Sequence, residues 1–180
     1  MSKVDIDKVA KEIHKTAKGS GFWDEERNKG EMLMLILSEL AEALEEHRGS
    51  KSLFYLNYLG KPEGIITELA DAAIRILDTV YSEWDETRHG TMAGHFKTEM
   101  KSQLALRGSR DQYVIGENFA ENLLRASGFV VKAETNIMWL LSALVYIDRL
   151  AMSLESDLWD IARKKMEYNK TRPYKHGKKY

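Results

Sequence analysis

Proline is nearly absent from this chain, and this is the strongest constraint on its fold. The two prolines are Pro62 and Pro173, so the whole stretch between them carries none. Proline disfavours a helix interior because it lacks a backbone donor and clashes with the preceding turn. Long segments rich in Leu, Ala, Glu, Lys and Met favour helix over strand. The chain is therefore predicted to be all-α, a helix bundle with a central antiparallel helical hairpin.

Apolar periodicity and glycine breaks predict where the helices lie. The predicted helices cover about residues 4–18, 28–47, 64–83, 132–154 and 156–169, with shorter helical patches at about 95–106 and 117–126. Scattered glycines make residues 84–128 a predicted insertion between core helices, and residues 170–180 are predicted to form a basic tail. A single domain is expected over residues 1–180, a length that can bury a substantial core.

Composition excludes several classes of protein. The absence of cysteine excludes disulfides and thiolate metal sites. The first residues lack the apolar core of a secretory signal, and the most apolar stretch, 137–147, is shorter than the roughly 20 residues that span a bilayer. With a net charge of −1, no global field favours nucleic acid or a membrane. A cytoplasmic protein is expected.

Two pairs of acidic residues on consecutive predicted helices are the most informative feature. Glu39 and Glu42 lie three positions apart, and so do Glu68 and Asp71. This spacing places both side chains of each pair on one helix face. If the two helices form an antiparallel hairpin, the four carboxylates can converge on one point. Such a site suits Mg²⁺ or Mn²⁺, which prefer oxygen ligands.

The surroundings of Glu39 set it apart from an ordinary surface glutamate. Its neighbours on the helix face are Met32, Leu35, Ile36 and Ala43, all of them apolar. A carboxylate buried among such side chains is costly unless a cation or a metal compensates it. Glu39 is therefore expected to hold a cation, with Glu42 nearer the solvent.

The second acidic pair allows two interpretations. Glu68, Asp71, Arg75 and Asp78 form a polar stripe on the helix 64–83. Alone, that stripe is typical of a solvated surface, with Asp71 and Arg75 as an i,i+4 ion pair worth a few tenths of a kcal/mol. Together with Glu39, it favours a shared metal site.

The two acidic motifs resemble those of a known family. They read Glu39-Leu-Ala-Glu42 and Glu68-Leu-Ala-Asp71, within "LSELAEALEEHR" and "ITELADAAIRILD". They are similar to the central helices of the MazG-like all-α nucleotide pyrophosphohydrolases, which include MazG, the dimeric dUTPases and the dCTP pyrophosphatases. The family often has two adjacent acids at the first motif, whereas Ser38 precedes Glu39 here.

Both ends of the chain carry weaker resemblances. The segment "GFWDEERNKGEMLMLILSEL" resembles the dCTP pyrophosphatase and phage MazG-like pattern, and "ARKKMEYNKTRPYKHGKK" resembles the family's Lys/Asn/Arg-Tyr-Pro ending. The resemblance covers residues 5–83 and 156–178. It does not extend to 84–155.

The resemblance implies an enzyme that hydrolyses (deoxy)nucleoside triphosphates to monophosphate and pyrophosphate with Mg²⁺, or alternatively Mn²⁺. It implies metal-binding and catalytic roles for Glu39, Glu42, Glu68 and Asp71. Substrate binding is expected from Trp23 by stacking on the base and from five polar or basic residues near the phosphates: Lys29, Lys165, Asn169, Arg172 and Lys178. His14 is a further candidate near the base, and Glu45 or Glu46 a candidate to help deprotonate water.

An oligomer is expected for a separate reason. One hairpin cannot enclose a nucleotide, and the apolar helix 132–154 offers more apolar surface than one bundle face needs. A homodimer or homotetramer is therefore predicted, with the site completed at the interface.

Three other functions are alternatives to this hypothesis. A carboxylate-bridged di-iron bundle needs Glu-x-x-His on two helices, whereas the sequence contains this spacing once, from Glu86 to His89. A non-catalytic helical assembly protein could use the basic tail on nucleic acid, with weak and salt-sensitive binding. A relative within the same fold could act on another phosphoanhydride, such as an alarmone or phosphoribosyl-ATP.

Overall fold

The computed structural model describes residues 5–49, 51–83, 98 and 115–177. Within these residues the chain is mostly helical. In chain order the elements are α1 (Ile6–Gly19), α2 (Lys29–Arg48), β1 (Tyr55–Leu56), β2 (Pro62–Glu63), α3 (Ile65–Glu83), α4 (Phe119–Lys132), α5 (Trp139–Ser153), α6 (Leu158–Lys170) and a 3-10 helix, Tyr174–Gly177. The prediction of an all-α chain is confirmed.

Short polar residues fix where four of these helices begin. Asp5, Asn28, Asn118 and Asp157 each precede a helix, and the side chain of each accepts a hydrogen bond from a backbone N–H of the first turn. Such caps satisfy donors that have no partner within the helix. The starts of α1, α2 and α6 lie within two residues of the predicted ones.

Helix α3 lies at the centre of the fold. It packs against α1, α2, α5 and α6, so that neighbours cover it on several sides. Its apolar residues are buried, and so are Glu68 and Asp78, which are 4% and 7% exposed. The interpretation of its polar stripe as a solvated surface is therefore wrong. The pattern along one helix could not show that other helices cover its polar face as well.

A small β-ladder joins α2 to α3. Tyr55 and Leu56 pair in antiparallel fashion with Glu63 and Pro62, where the sequence predicted only an irregular connection. Gly64 ends the ladder with φ of 109°, and a Cβ there would lie 2.7 Å from the carbonyl oxygen of Ser52. Only glycine fits this close turn, which delivers the chain directly into the first turn of α3.

The predicted helix 132–154 begins several residues later in the structure. Helix α4 continues to Lys132, and α5 begins at Trp139. The Thr135 hydroxyl donates to the Lys132 carbonyl, and the Asn136 side chain accepts from the Met138 N–H. These local bonds offer the backbone an alternative to helix, which explains the break.

The predicted insertion contributes in part to the core. Residues 119–128 belong to α4, where Phe119, Leu123 and Ala126 are buried. The helical patch predicted at 117–126 is thus the beginning of a longer helix. Residues 84–114, apart from 98, lie outside the described part, and so does the patch predicted at 95–106.

Helix α5 is buried within a single chain. Leu140, Leu141, Leu144, Val145 and Ile147 are all at most 2% exposed. The apolar excess that suggested an oligomer is therefore covered by other helices of the same chain. Oligomerisation stays a prediction, but it loses this argument. In the described ranges, no helix is both long and apolar enough to cross a membrane.

Candidate metal centre and adjoining cleft

Three carboxylates of α2 and α3 meet in space. One oxygen each of Glu39, Glu42 and Glu68 lies within 4.8 Å of the others. Glu39 and Glu68 are 5% and 4% exposed, whereas Glu42 lies at the surface. This group, the acid cluster, has two buried members and one that faces solvent. Carboxylate oxygens at such separations are the ligands that Mg²⁺ and Mn²⁺ take.

The helices that carry the acid cluster run in opposite directions. Glu42, in the second half of α2, meets Glu68 in the first turn of α3, while the earlier residue Glu39 also reaches Arg75, two turns further along α3. The spacing of three within Glu39-x-x-Glu42 then puts both side chains on the face of α2 that looks at α3.

Asp71, the fourth predicted ligand, is held by a lysine instead. Its Oδ2 lies 2.6 Å from Nζ of Lys165, a residue of α6 that is only 3% exposed. The i,i+4 pair with Arg75 considered from the sequence is replaced, because Arg75 Nε donates to Glu39 Oε1 at 2.6 Å. Glu39 and Asp71 therefore each have a cationic partner from another helix.

Burial and mutual repulsion shift the protonation of these acids. Desolvation by burial, followed by the charge of Asp71, raises the pKa of Glu68 to about 8, and the charges of Glu39 and Glu42 add to this shift. Burial likewise raises the pKa of Asp71, against the opposing effect of the Lys165 ammonium. The site thus contains more negative charge than its own cations neutralise.

A cleft of about 110 Å³ adjoins the acid cluster. Asp71, Arg75 and Lys165 line the cleft and also contact or neighbour the acids. Asn169 and Arg172 line it too, as the resemblance implied for substrate-binding residues. The buried Oδ1 of Asn169 has no hydrogen-bond partner within the described structure, so this acceptor is available to a ligand donor.

At the far end of the cleft, one carboxylate gathers several donors. Asp78 accepts from the Trp23 indole N–H at 3.0 Å, pairs with His14 Nδ1 at 2.7 Å, and lies 3.8 Å from Arg27 Nη1. We call these four residues the Asp78 cluster. Arg27 also stacks over the Trp23 ring at 5.3 Å. The sequence drew attention to Trp23 and His14 but assigned no role to Arg27, whose significance depends on a partner 51 positions away.

Trp23 differs from its predicted role. The lining of the cleft includes its neighbour Phe22, whereas Trp23 packs against His14 at 5.0 Å between ring centres. Its indole N–H is bonded to Asp78. In this structure Trp23 supports the wall of the cleft instead of presenting a free face to a base.

Two other predicted substrate residues lie elsewhere. Lys29 Nζ donates to the Glu134 carbonyl at 2.8 Å, which ties the start of α2 to the α4–α5 turn. Lys29 is not among the residues that line the cleft in the described structure. Lys178 lies outside the described residues. Glu45 and Glu46 bond to Arg48 and Lys51, so neither is committed to the acid cluster.

The start of the predicted basic tail is docked on the fold. The Tyr174 hydroxyl donates to Asp24 Oδ2 at 2.6 Å, and the Lys175 N–H donates to the Ser20 carbonyl at 2.8 Å. Gly21, with φ of 83°, makes room for the Tyr174 ring, since a Cβ there would overlap it at 2.0 Å. This docking holds the neighbouring Arg172 at the cleft.

Several basic residues of α6 are already paired with acids. Arg163 and Lys164 contact Asp160, and Lys170 contacts Glu12 and Glu167. The described part of this segment therefore offers less free positive charge than its sequence suggested, which weakens the nucleic-acid alternative.

Comparisons with known proteins add no family assignment. The chain matches no protein-family model, no curated protein and no solved structure. Any functional conclusion must accordingly come from the geometry of the acid cluster and its cleft.

Proposed function

We propose that this chain is a Mg²⁺-dependent nucleoside triphosphate pyrophosphohydrolase. The observation that carries the proposal is the acid cluster of Glu39, Glu42 and Glu68, whose ligand oxygens lie within 4.8 Å of one another beside a cleft lined with cationic side chains. Acids that gather at one end and cations that line the adjoining space suit a metal-assisted reaction of a polyphosphate.

The donor set fits a divalent cation. All three groups are carboxylates, the hard oxygen ligands that Mg²⁺ favours, and the exposed Glu42 leaves a side open for water and substrate. Burial, and after it the charge of neighbouring acids, raises the pKa of Glu68, so ionising this group adds unfavourable negative charge to the site. Such charge is what a divalent cation offsets.

In the proposed reaction, Glu39, Glu42 and Glu68 hold Mg²⁺, with Asp71 beside them. When bound, Mg²⁺ supplies positive charge to the phosphate oxygens and makes water a better nucleophile. An ionised carboxylate of the site accepts a proton from the attacking water. The water oxygen bonds to phosphorus as the bond between the α- and β-phosphates breaks, giving monophosphate and pyrophosphate.

Basic residues of α6 and of the segment after it would bind the phosphates. Lys165 lies next to Asp71 at 2.6 Å, and Arg172 lines the same cleft. Charge-assisted hydrogen bonds from these groups favour a polyanion over a neutral ligand. A cytoplasmic location and assembly into a homodimer or homotetramer stay predictions.

The test is pyrophosphate release from a panel of dNTPs and NTPs, with and without Mg²⁺. Glu39→Gln should lower metal-dependent release by about a hundredfold or more, because it removes one anionic ligand while preserving shape. Glu167→Gln is the matched control: it makes the same chemical change at an exposed residue of α6 that pairs with Lys170, and it should leave release unchanged. Release from no nucleotide, with both proteins folded, would contradict the proposal.

A further inference from the structure

We propose that Arg75 is an internal counterion that exchanges partners: it neutralises Glu39 while the site lacks metal and binds a substrate phosphate once metal is held. The inference rests on the proposed function, because it needs both a metal and a phosphate. It assigns a substrate-binding role to a residue that the sequence placed only in an ion pair or on a solvated stripe.

The bond between Arg75 and Glu39 has the geometry of a strong ion pair. Arg75 Nε donates to Glu39 Oε1 at 2.6 Å, and the carboxylate side chain is only 7% exposed. A buried carboxylate without a cation is strongly unfavourable, so Arg75 stabilises the metal-free protein. The same carboxylate is a member of the acid cluster, so arginine and a bound metal would compete for its negative charge.

Arg75 occupies the border between the acid cluster and the cleft. Its side chain is 32% exposed, and it lines the cleft together with Asn169 and Arg172. Lys165 differs, because its ammonium is 3% exposed and lies 2.6 Å from Asp71. Of these two cations, Arg75 therefore has the more open surroundings in which to change partners.

Positive charge in the cleft would attract an anion. Burial lowers the pKa of Arg27, Asp78 opposes this, and the charge of Arg75 lowers the pKa further, so the two guanidinium groups repel each other. A divalent cation in the acid cluster would repel Arg75 in the same way. A phosphate in the cleft relieves both repulsions, since a guanidinium binds two phosphate oxygens at once.

Two binding measurements test the exchange. Calorimetry with Mn²⁺ alone compares wild type with Arg75→Gln, Arg75→Lys and the surface control Arg163→Gln. Without its competitor, Arg75→Gln should bind Mn²⁺ about tenfold more tightly. The affinity for inorganic tripolyphosphate at saturating Mg²⁺ should change in the opposite direction. It should be about tenfold weaker in Arg75→Gln than in wild type and partly recovered in Arg75→Lys.

The two failures can be told apart. If wild type binds no Mn²⁺, the acid cluster is not a metal site, and the proposed function fails together with this inference. If wild type binds both probes but Arg75→Gln matches Arg163→Gln in both, the metal site stands and the exchange is refuted. Circular dichroism with and without Mg²⁺ checks folding, and Arg75→Lys keeps a cation beside Glu39 if Arg75→Gln is unstable.

Discussion

The acid cluster and the Asp78 cluster each include one acid of α3, Glu68 or Asp78, but they differ in how buried charge is compensated. In the acid cluster, three carboxylates share one space, and Arg75 is the cation bonded to one of them. In the Asp78 cluster, a single carboxylate faces a histidine, an indole N–H and an arginine. The excess of carboxylates in the acid cluster favours binding of an external cation, whereas the fully hydrogen-bonded carboxylate of Asp78 stabilises the fold. Burial of a charged residue alone therefore does not identify a functional site.

Removing Asp78 should give the largest effect on stability. Asp78→Ala leaves Trp23, His14 and Arg27 without their common acceptor, so we expect a loss of about 3–5 kcal/mol in the free energy of unfolding. Urea denaturation measures it. The loss should be the same with and without Mg²⁺, and a loss below about 1 kcal/mol would remove the contrast between the two clusters.

Replacing Glu68 should raise the free energy of unfolding at high pH, in contrast to the loss expected for Asp78→Ala. The pKa of Glu68 is about 8 in the folded protein and ordinarily 4.5, so the folded state binds the extra proton and stability falls as pH rises from about 4.5 to 8. Glu68→Gln removes this ionisation and should stabilise the metal-free protein by about 2 kcal/mol at pH 9, with little change at pH 4. Thermal unfolding at both pH values in a chelator tests it, and an equal effect at the two values would contradict the raised pKa.

Metal binding should depend on the ionisation of Glu68. Because Mg²⁺ needs ionised Glu68, binding should release a proton below pH 8, and its affinity should rise up to about tenfold per pH unit between pH 6 and 8. Calorimetry in buffers of different ionisation enthalpy counts the released proton. The Asp78→Ala protein, if folded, should show the same dependence, since Asp78 belongs to the other cluster.

The smallest stability effect is expected at Glu42. This acid is exposed, so Glu42→Ala should change the free energy of unfolding of the metal-free protein by less than about 0.5 kcal/mol. Its Mn²⁺ affinity should nevertheless fall. A variant that is neutral for folding but defective in metal binding would separate function from stability within the acid cluster.

The sequence predicted local features of this protein better than pairings between distant residues. Acids three positions apart and the apolar neighbours of Glu39 indicated a carboxylate facing another helix, because helix periodicity determines which residues share a face. The Lys165 partner of Asp71 comes from α6, and the Arg27 partner of Asp78 from the α1–α2 connection. Such pairings depend on how the helices pack, which the pattern along one helix does not contain. Asn136 gives a smaller example: its side chain accepts from the Met138 N–H just before α5 begins, at positions that apolar periodicity alone assigned to the helix 132–154.

The central position of α3 makes it a natural reporter for hydrogen exchange. Because α1, α2, α5 and α6 cover it, the amide protons in its middle turns should exchange with solvent only when the whole molecule unfolds. A ligand that binds the folded state slows such exchange by the same factor by which it stabilises the protein. The exchange rate of α3 amides, followed during a metal titration, would therefore measure binding at the acid cluster without any assay of turnover.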